Sequence, residues 1–126
     1  ENMIMITCSG TIGKVVIAPR HWEGWTANQH IIRVVPANSE IAGYLYAFLA
    51  SDYGKVLITR STYGAVVDEI TDHHVGEIVV PLLKNKSAQT KINGIVLKAN
   101  NMRADAYEKE QEAIRLVNDE VIYASP

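Results

Sequence analysis

Several features are scarce in this sequence, and each scarcity argues against a class of protein. The 126 residues contain one cysteine, Cys8, inside an apolar run, so a disulfide framework is excluded and a reducing, cytoplasmic compartment is expected. No apolar stretch approaches the roughly 20 residues of a membrane-spanning helix. We therefore expect neither membrane insertion nor secretion.

Basic residues are not in excess, because 12 Lys and Arg stand against 14 Asp and Glu, for a net charge of −2. Nucleic-acid binders usually carry a basic excess, so charge alone argues against one unless partner subunits supply it. A length of 126 residues with 48% hydrophobic content predicts one core plus one appendage. The chain runs at once into a strand-like segment, which favours a piece of a larger protein.

Short β-branched runs predict strands at residues 3–8, 14–18, 29–35 and 77–80. The first two are joined by a glycine-containing turn over residues 9–13, which predicts a hairpin. Ser39 is the predicted N-cap of an amphipathic helix, and residues 53–59 predict a second one with Val56 and Leu57 facing inward. Residues 65–71 are ambiguous between extended chain and strand. The first helix is expected to build the core through Tyr44, Leu45, Phe48 and Leu49.

A long helix is predicted over residues 87–119, where glycine and proline nearly vanish and apolar residues recur every three or four positions. Ala99, Ala106 and Ala113 recur at seven-residue spacing, which lets a partner helix approach as in a coiled coil. That partner would come from the parent chain or from a homodimer. The opposite, solvated face is predicted to carry Lys98, Asp105, Glu108, Glu112 and Arg115.

Catalytic signals are weak. His73 and His74 are adjacent, not at metal-ligand spacing, and are interpreted as a loop before a strand. Cys8 in an apolar strand favours an inert core thiol. Residues 10–14 are too short for a nucleotide-binding loop and precede a strand. We expect no catalytic residue, no metal and no cofactor.

Three polar loops carry groups that suit DNA. Residues 9–14 can meet phosphate, residues 26–30 can pair with adenine or thymine, and residues 60–64 can reach guanine or phosphate. On chemistry alone each can also be an ordinary turn, and for residues 26–30 the turn interpretation is favoured. The two tryptophans, Trp22 and Trp25, can stack on bases or cap the core.

The order of these segments resembles a known family. The segments on which the resemblance rests are S-G-T-I-G-K-V-V-I-A, T-A-N-Q-H-I-I-R-V-V-P, G-Y-L-Y-A-F-L-A-S-D-Y-G-K, T-Y-G-A-V-V-D-E-I, I-V-V-P-L-L and Q-T-K-I before the long helix. They resemble the target-recognition domain of type I restriction-modification specificity subunits. The resemblance covers almost the whole chain and is most specific over residues 44–55.

The resemblance implies double-stranded DNA recognition without catalysis, with modification subunits methylating adenine and restriction subunits cleaving. In that family two recognition domains are held apart by antiparallel helices that set the half-site spacing. Together with the residue patterns, the resemblance predicts an α+β fold with a mixed, mainly antiparallel sheet, two short helices and a long protruding C-terminal helix. The expected division is a partial recognition domain at 1–84 and a spacer helix with tail at 85–126.

The residues nominated for DNA contact are the polar ones in the three loops. They are Ser9, Thr11, Lys14, Thr26, Asn28, Gln29, Arg60, Ser61, Thr62 and Tyr63. Two alternatives stay open: the reading module of a fused methyltransferase-nuclease, and a helical assembly module that does not bind DNA.

Overall fold

The computed structural model describes residues 1–62 and 69–123. Its three strands are β1 (Ile4–Thr7), β2 (Val15–Ile17) and β3 (Ile31–Val34). The helices are α1 (Ser39–Ala50), α2 (Asp52–Thr59), α3 (Asp72–Gly76) and α4 (Lys86–Val117). Short 3-10 turns cover Arg20–Trp22 and Arg60–Thr62, and a π turn at Asn118–Ile122 extends α4.

The sheet has the order β2-β1-β3, and both pairings are antiparallel. Side chains alternate between the two faces of a strand, so Ile4 and Ile6 share one face with Ile17, whose register partner is Ile4. All three are at most 3% exposed. This inner face packs on α1 and α2 to form the core, and the α+β prediction is confirmed.

The hydrophobic core joins the sheet to both short helices. Ile4, Ile6, Leu49, Ile58 and Ile70 are buried together. Leu45 and Phe48 pack against this cluster, and Tyr44 is itself buried. The predicted core role of the first helix is therefore confirmed.

Several local predictions were wrong, and each has a physical reason. The N-cap of α1 is Asn38, whose side chain accepts a hydrogen bond from the Glu40 backbone N–H at 3.0 Å, and Ser39 is the first helical residue. In α2 the buried positions are Gly54 and Ile58, four residues apart, which turns Val56 outward at 57% exposure.

The region before α4 differs most from prediction. His73 and His74 lie in α3, because the Thr71 side chain and His74 form a capping box that starts a helix. Residues 77–80 are not a strand, since the β-branched run has no ladder partner within the described ranges. Val79 is 83% exposed there.

The long helix α4 docks along the domain before it protrudes. Its 32 residues make it about 48 Å long. Asn93, Asn100 and Ala104 are buried against the domain, whereas residues 108–117 are all exposed. No helix in the described ranges combines the length and apolarity needed to cross a bilayer.

The helix α4 also contacts the 3-10 turn at Arg20–Trp22. Arg20 forms ion pairs with Asp105 and Glu108, and the His21 ring stacks on Tyr107 with centroids 4.2 Å apart. The hydrogen bonds that Arg20 donates, first to Asp105 and then to Glu108, raise the pKa of Arg20 above its ordinary value. Asp105 and Glu108 are exposed, as predicted for a solvated face, and in addition pair with Arg20. The local sequence around Asp105 does not indicate that Arg20, 85 residues away, is its ion-pair partner.

Candidate nucleic-acid interface

Most of the nominated residues converge at one end of the sheet. Because Thr7 at the end of β1 is in register with Ile31 at the start of β3, the hairpin loop and the segment that enters β3 emerge side by side. The Cys8 backbone N–H donates to the His30 carbonyl at 2.9 Å. We call residues 9–14, 28–30 and 59–62 together the loop cluster.

The hairpin loop is rigidly built. Gly10 and Gly13 have φ values of +68° and +79°, a backbone region that side chains with a Cβ rarely adopt. The Thr7 hydroxyl accepts from the Lys14 backbone N–H at 3.0 Å and donates to the Thr11 carbonyl. The side chains of Thr11 and Lys14 are left exposed, so both are presented from a fixed backbone.

The end of α2 packs directly on this loop. A Cβ added to Gly13 would lie 2.9 Å from Thr59 Cγ2, so only glycine allows the approach. Exposed Arg60 follows at the helix end, and the Thr62 hydroxyl donates to the Thr59 carbonyl at 2.7 Å. The loop cluster therefore contains Arg60 and Thr62 beside the hairpin.

The side chains of two nominated residues in this segment lie outside the described structure. The backbone of Ser61 lies in the Arg60–Thr62 turn. Tyr63 lies outside the described residues. Their proposed contacts with DNA stay predictions.

Lys55 is a basic residue that the sequence interpretation missed. It lines a shallow cavity of about 300 Å³ together with Lys14, Gly13, Val16 and Leu49. Two lysines from distant parts of the sequence therefore line one cavity on the same side of the hairpin. The pairing depends on α2 packing against the loop, which no local pattern around Lys55 indicates.

Asn28, Gln29 and His30 have different roles in the loop cluster. Asn28 Oδ1 accepts from the His30 backbone N–H at 3.0 Å, which closes a local turn. His30 Nδ1 lies 2.6 Å from Ser9 Oγ. Gln29 is exposed, and its side-chain amide has no hydrogen bond to any other described residue. Of the two amides nominated for base contact, Gln29 is the one whose acceptor is not already used within the loop.

Opposite charges flank the loop cluster on its two sides. Glu69 forms an isolated antiparallel bridge with Ser9, and the Ile70 backbone N–H donates to the Cys8 carbonyl at 3.0 Å. Glu69 and Asp72 therefore lie beside β3, lining a cavity that also includes Gln29 and Arg33, so that side has two carboxylates and one guanidinium. Lys14 and Lys55 lie on the β2 side, so an approaching phosphate is attracted to that side.

Thr26 is not part of the loop cluster. It lines a cavity of about 610 Å³ over the outer face of the sheet, with Met5, Trp22, Trp25 and Arg33. Trp22 and Trp25 stack with centroids 6.1 Å apart, and Trp25 is 63% exposed. The segment crosses the outer face of the sheet on its way to His30, which separates Thr26 from the other nominated residues.

A second candidate surface is the face of α4 that points away from the domain. At 3.6 residues per turn, positions 95, 102 and 106 lie opposite the docked positions 93, 100 and 104. Ile95 and Met102 are each 60% exposed. We call this face the outer seam, and it consists of Ile95, Ala99, Met102, Ala106, Ala113 and Leu116.

The histidines of α3 do not resemble a metal centre. His73 Nε2 lies 3.5 Å from Glu77 Oε1, and His74 Nδ1 accepts from the Thr71 backbone N–H at 3.1 Å. Within residues 1–62 and 69–123, no group of three or more His, Cys, Asp or Glu side chains is placed to hold a metal ion. Cys8 is buried.

Comparison with known protein families gives a match over most of the chain. The model of the type I restriction modification DNA specificity domain family matches residues 1–114. No curated protein and no solved structure matches the chain. The family match covers the sheet, the loop cluster and nearly all of α4. The chain therefore belongs to the type I restriction-modification DNA specificity domain family.

Proposed function

We propose that the loop cluster reads one part of a double-stranded DNA target and thereby directs partner subunits that methylate adenine and cleave DNA. Membership in the family implies DNA binding and association with type I restriction-modification subunits. The observation that carries the assignment to this end of the sheet is the convergence of three polar loops that are distant in sequence. The sheet supports two of these loops and α2 holds the third against the hairpin, so their exposed groups keep a fixed geometry toward one ligand.

The basic residues of the loop cluster and its β2 side act on phosphate. Lys14, Lys55 and Arg60 are exposed, and exposed ammonium and guanidinium groups contribute to binding through counterion release, independent of base sequence. These contacts position the domain on the duplex. The net charge of −2 makes the whole chain a weak DNA ligand, so the modification subunits supply most of the nonspecific attraction.

Sequence discrimination belongs to groups that can face base edges. Gln29 offers a donor and an acceptor on one amide, which is the pattern that pairs with adenine in the major groove. Thr11 offers a hydroxyl and a methyl group on the neighbouring loop. Asn28 and Ser9 hold this arrangement through their contacts with His30.

The outer seam binds another helix. Alanines at every seventh position allow a close approach, and Ile95, Met102 and Leu116 supply apolar area for a coiled-coil contact. The partner is a helix of the parent chain or a second copy. Under this proposal residues 1–84 read DNA and residues 85–126 hold the reader at a defined distance from its partner.

The test is selection of duplexes from a random pool by the full-length protein with its modification subunits. We expect Lys14→Gln and Lys55→Gln to weaken retention of all sequences alike and to reduce the salt dependence by about one counterion each. Gln29→Ala should instead change the selected sequence, at a cost of about 1–3 kcal/mol for the preferred base. Glu23→Gln, at the opposite end of the sheet, is the matched control and should leave both properties unchanged.

The exposed seam favours a second candidate, a helical assembly module that does not contact DNA. In that case the wild-type complex would show no sequence preference, and none of the loop-cluster variants would alter retention. Replacement of Met102 with Glu would still disrupt assembly. A methyltransferase fused to the same chain would leave the roles of the loop-cluster residues unchanged.

A further inference from the structure

Two asparagines of α4 are the buried polar side chains among the described residues. Asn93 is 8% exposed and Asn100 is 1% exposed. They are seven residues apart, so both lie on the stripe of the helix that docks on the domain. A buried amide is costly unless it is hydrogen-bonded, so the partners of each amide are informative.

Asn93 binds the first turns of α1. Its Oδ1 accepts from the backbone N–H groups of Gly43 at 2.7 Å and Tyr44 at 3.2 Å. Its Nδ2 donates to the Ser39 carbonyl at 3.0 Å. Both ends of the amide are therefore matched to backbone groups that cannot move independently of α1.

Asn100 binds a different part of the domain, at the edge of the sheet. Its Nδ2 donates to the Ala18 carbonyl at 3.1 Å and to Asn2 Oδ1 at 3.2 Å. Its Oδ1 is buried with no hydrogen-bond partner among the described residues. The Ala18 carbonyl also accepts from the Asn2 backbone N–H at 2.9 Å, so it would stay satisfied without Asn100.

An unpaired buried acceptor lowers stability, and an apolar side chain of the same shape would avoid that cost. Stability alone therefore explains Asn100, with one amide atom bonded and the other unpaired, less well than it explains Asn93. A buried asparagine in a coiled coil fixes register at a cost in stability, because a shifted arrangement leaves the amide without partners. The same reasoning applies to a helix that docks on a domain.

We propose that Asn93 and Asn100 are positioning residues that fix a single register of α4 on the recognition domain. A slide of one residue along the helix, or the matching rotation, would remove the partners of both amides at once. Sliding by seven residues would place Tyr107 where Asn100 now meets Ala18. Given the proposed function, this register sets the direction of the outer seam relative to the loop cluster, and with it the spacing between this reader and the next.

The experiment measures the distance between two genetically encoded nitroxide labels in the full-length protein, at exposed Thr11 and Glu112. The test variant is Asn100→Leu, which has the same number of side-chain heavy atoms. Asn101→Leu is the control, because Asn101 is exposed on the neighbouring position of α4. The same variants without labels are compared for their preference between DNA targets that differ by one base pair in spacer length.

We expect Asn100→Leu to unfold close to the wild-type temperature, because the loss of two hydrogen bonds from Nδ2 opposes the relief of the unpaired Oδ1. Its distance distribution should broaden or gain a second maximum. Its preference for the best spacer should fall about fivefold or more. Asn101→Leu should match wild type in both measurements. If leucine does not fit, Asn100→Ala gives the same readout.

A distance distribution in Asn100→Leu and Asn100→Ala as narrow as that of wild type would overturn the proposal. The proposed function fails separately: a broadened distribution in a protein whose wild type shows no selective DNA retention would support the register role and reject the DNA role.

Discussion

The contact between α1 and α4 is tested most sharply by Gly43→Ala. A Cβ at Gly43 would lie 2.5 Å from the Asn93 carbonyl oxygen and 3.1 Å from Val96 Cβ. A carbon-oxygen contact needs about 3.3 Å, and a backbone oxygen cannot rotate away. The two helices must therefore separate by roughly 0.8 Å, since 3.3 Å is the closest normal contact.

The expected cost follows from two opposing effects. Overpacking of this kind costs about 1–3 kcal/mol, and separation also weakens the hydrogen bond from the Gly43 N–H to Asn93 Oδ1, worth about 1 kcal/mol. Alanine returns about 1 kcal/mol through its helix propensity. The net free energy of unfolding should fall by about 1–3 kcal/mol, since the propensity gain roughly offsets the lost hydrogen bond.

Gly94→Ala is the matched control on α4. Nothing lies within 4 Å of a Cβ at Gly94, so this substitution should raise stability by about 0.4–1 kcal/mol. Chemical denaturation of both variants measures the difference, and the two identical changes should have opposite signs. Equal stabilisation by both would refute the close packing of α1 on α4.

Three further substitutions test other contacts by the same assay. Ile58→Ala should lower the free energy of unfolding by about 2–5 kcal/mol because Ile58 is 1% exposed. Val56→Ala should change it by less than about 0.5 kcal/mol, and equal effects of the two substitutions would contradict the orientation of α2. Ser51→Ala should cost about 1–2 kcal/mol, because Ser51 Oγ accepts from the Gly54 N–H at 3.1 Å and caps α2, and Ser51→Thr should retain most of this. Arg20→Gln should cause a small loss of stability that disappears at about 0.5 M salt, because the partners of Arg20 are exposed carboxylates. A loss of stability that persists in salt would contradict a screened ion pair.

Local patterns predicted the parts of the fold whose cause is local. The β-branched runs at β1 to β3, the glycine turn between β1 and β2, and the uninterrupted periodicity of α4 each indicate their structure without knowledge of neighbours. The error at residues 77–80 has the opposite origin, because a strand needs a hydrogen-bonded neighbour and these residues have none in the described ranges. Val56 was misassigned because the packing of α2 depends on Gly54, which lets it approach α1.

The candidate site was predicted only in part for the same reason. The polar loops are visible in the sequence, but their convergence depends on strand register and on the contact of Gly13 with α2. Lys55 joins Lys14 only through that contact. Asn93 and Asn100 carry no local signal, since an asparagine in a polar helix usually faces solvent. Thr26 was grouped with Asn28 because of sequence proximity, although the chain between Trp25 and His30 crosses a whole sheet face.

The proposed function requires contact between the loop cluster and DNA, and site-specific photo-cross-linking measures that contact. A photoreactive residue is placed in turn at Thr11, Gln29 and Glu23 of the full-length protein, assembled with its modification subunits on a selected target duplex. Thr11 and Gln29 should cross-link to DNA, and Glu23, which follows the turn at the opposite end of the sheet, should not. Cross-linking from Glu23 with none from Thr11 and Gln29 would contradict the account.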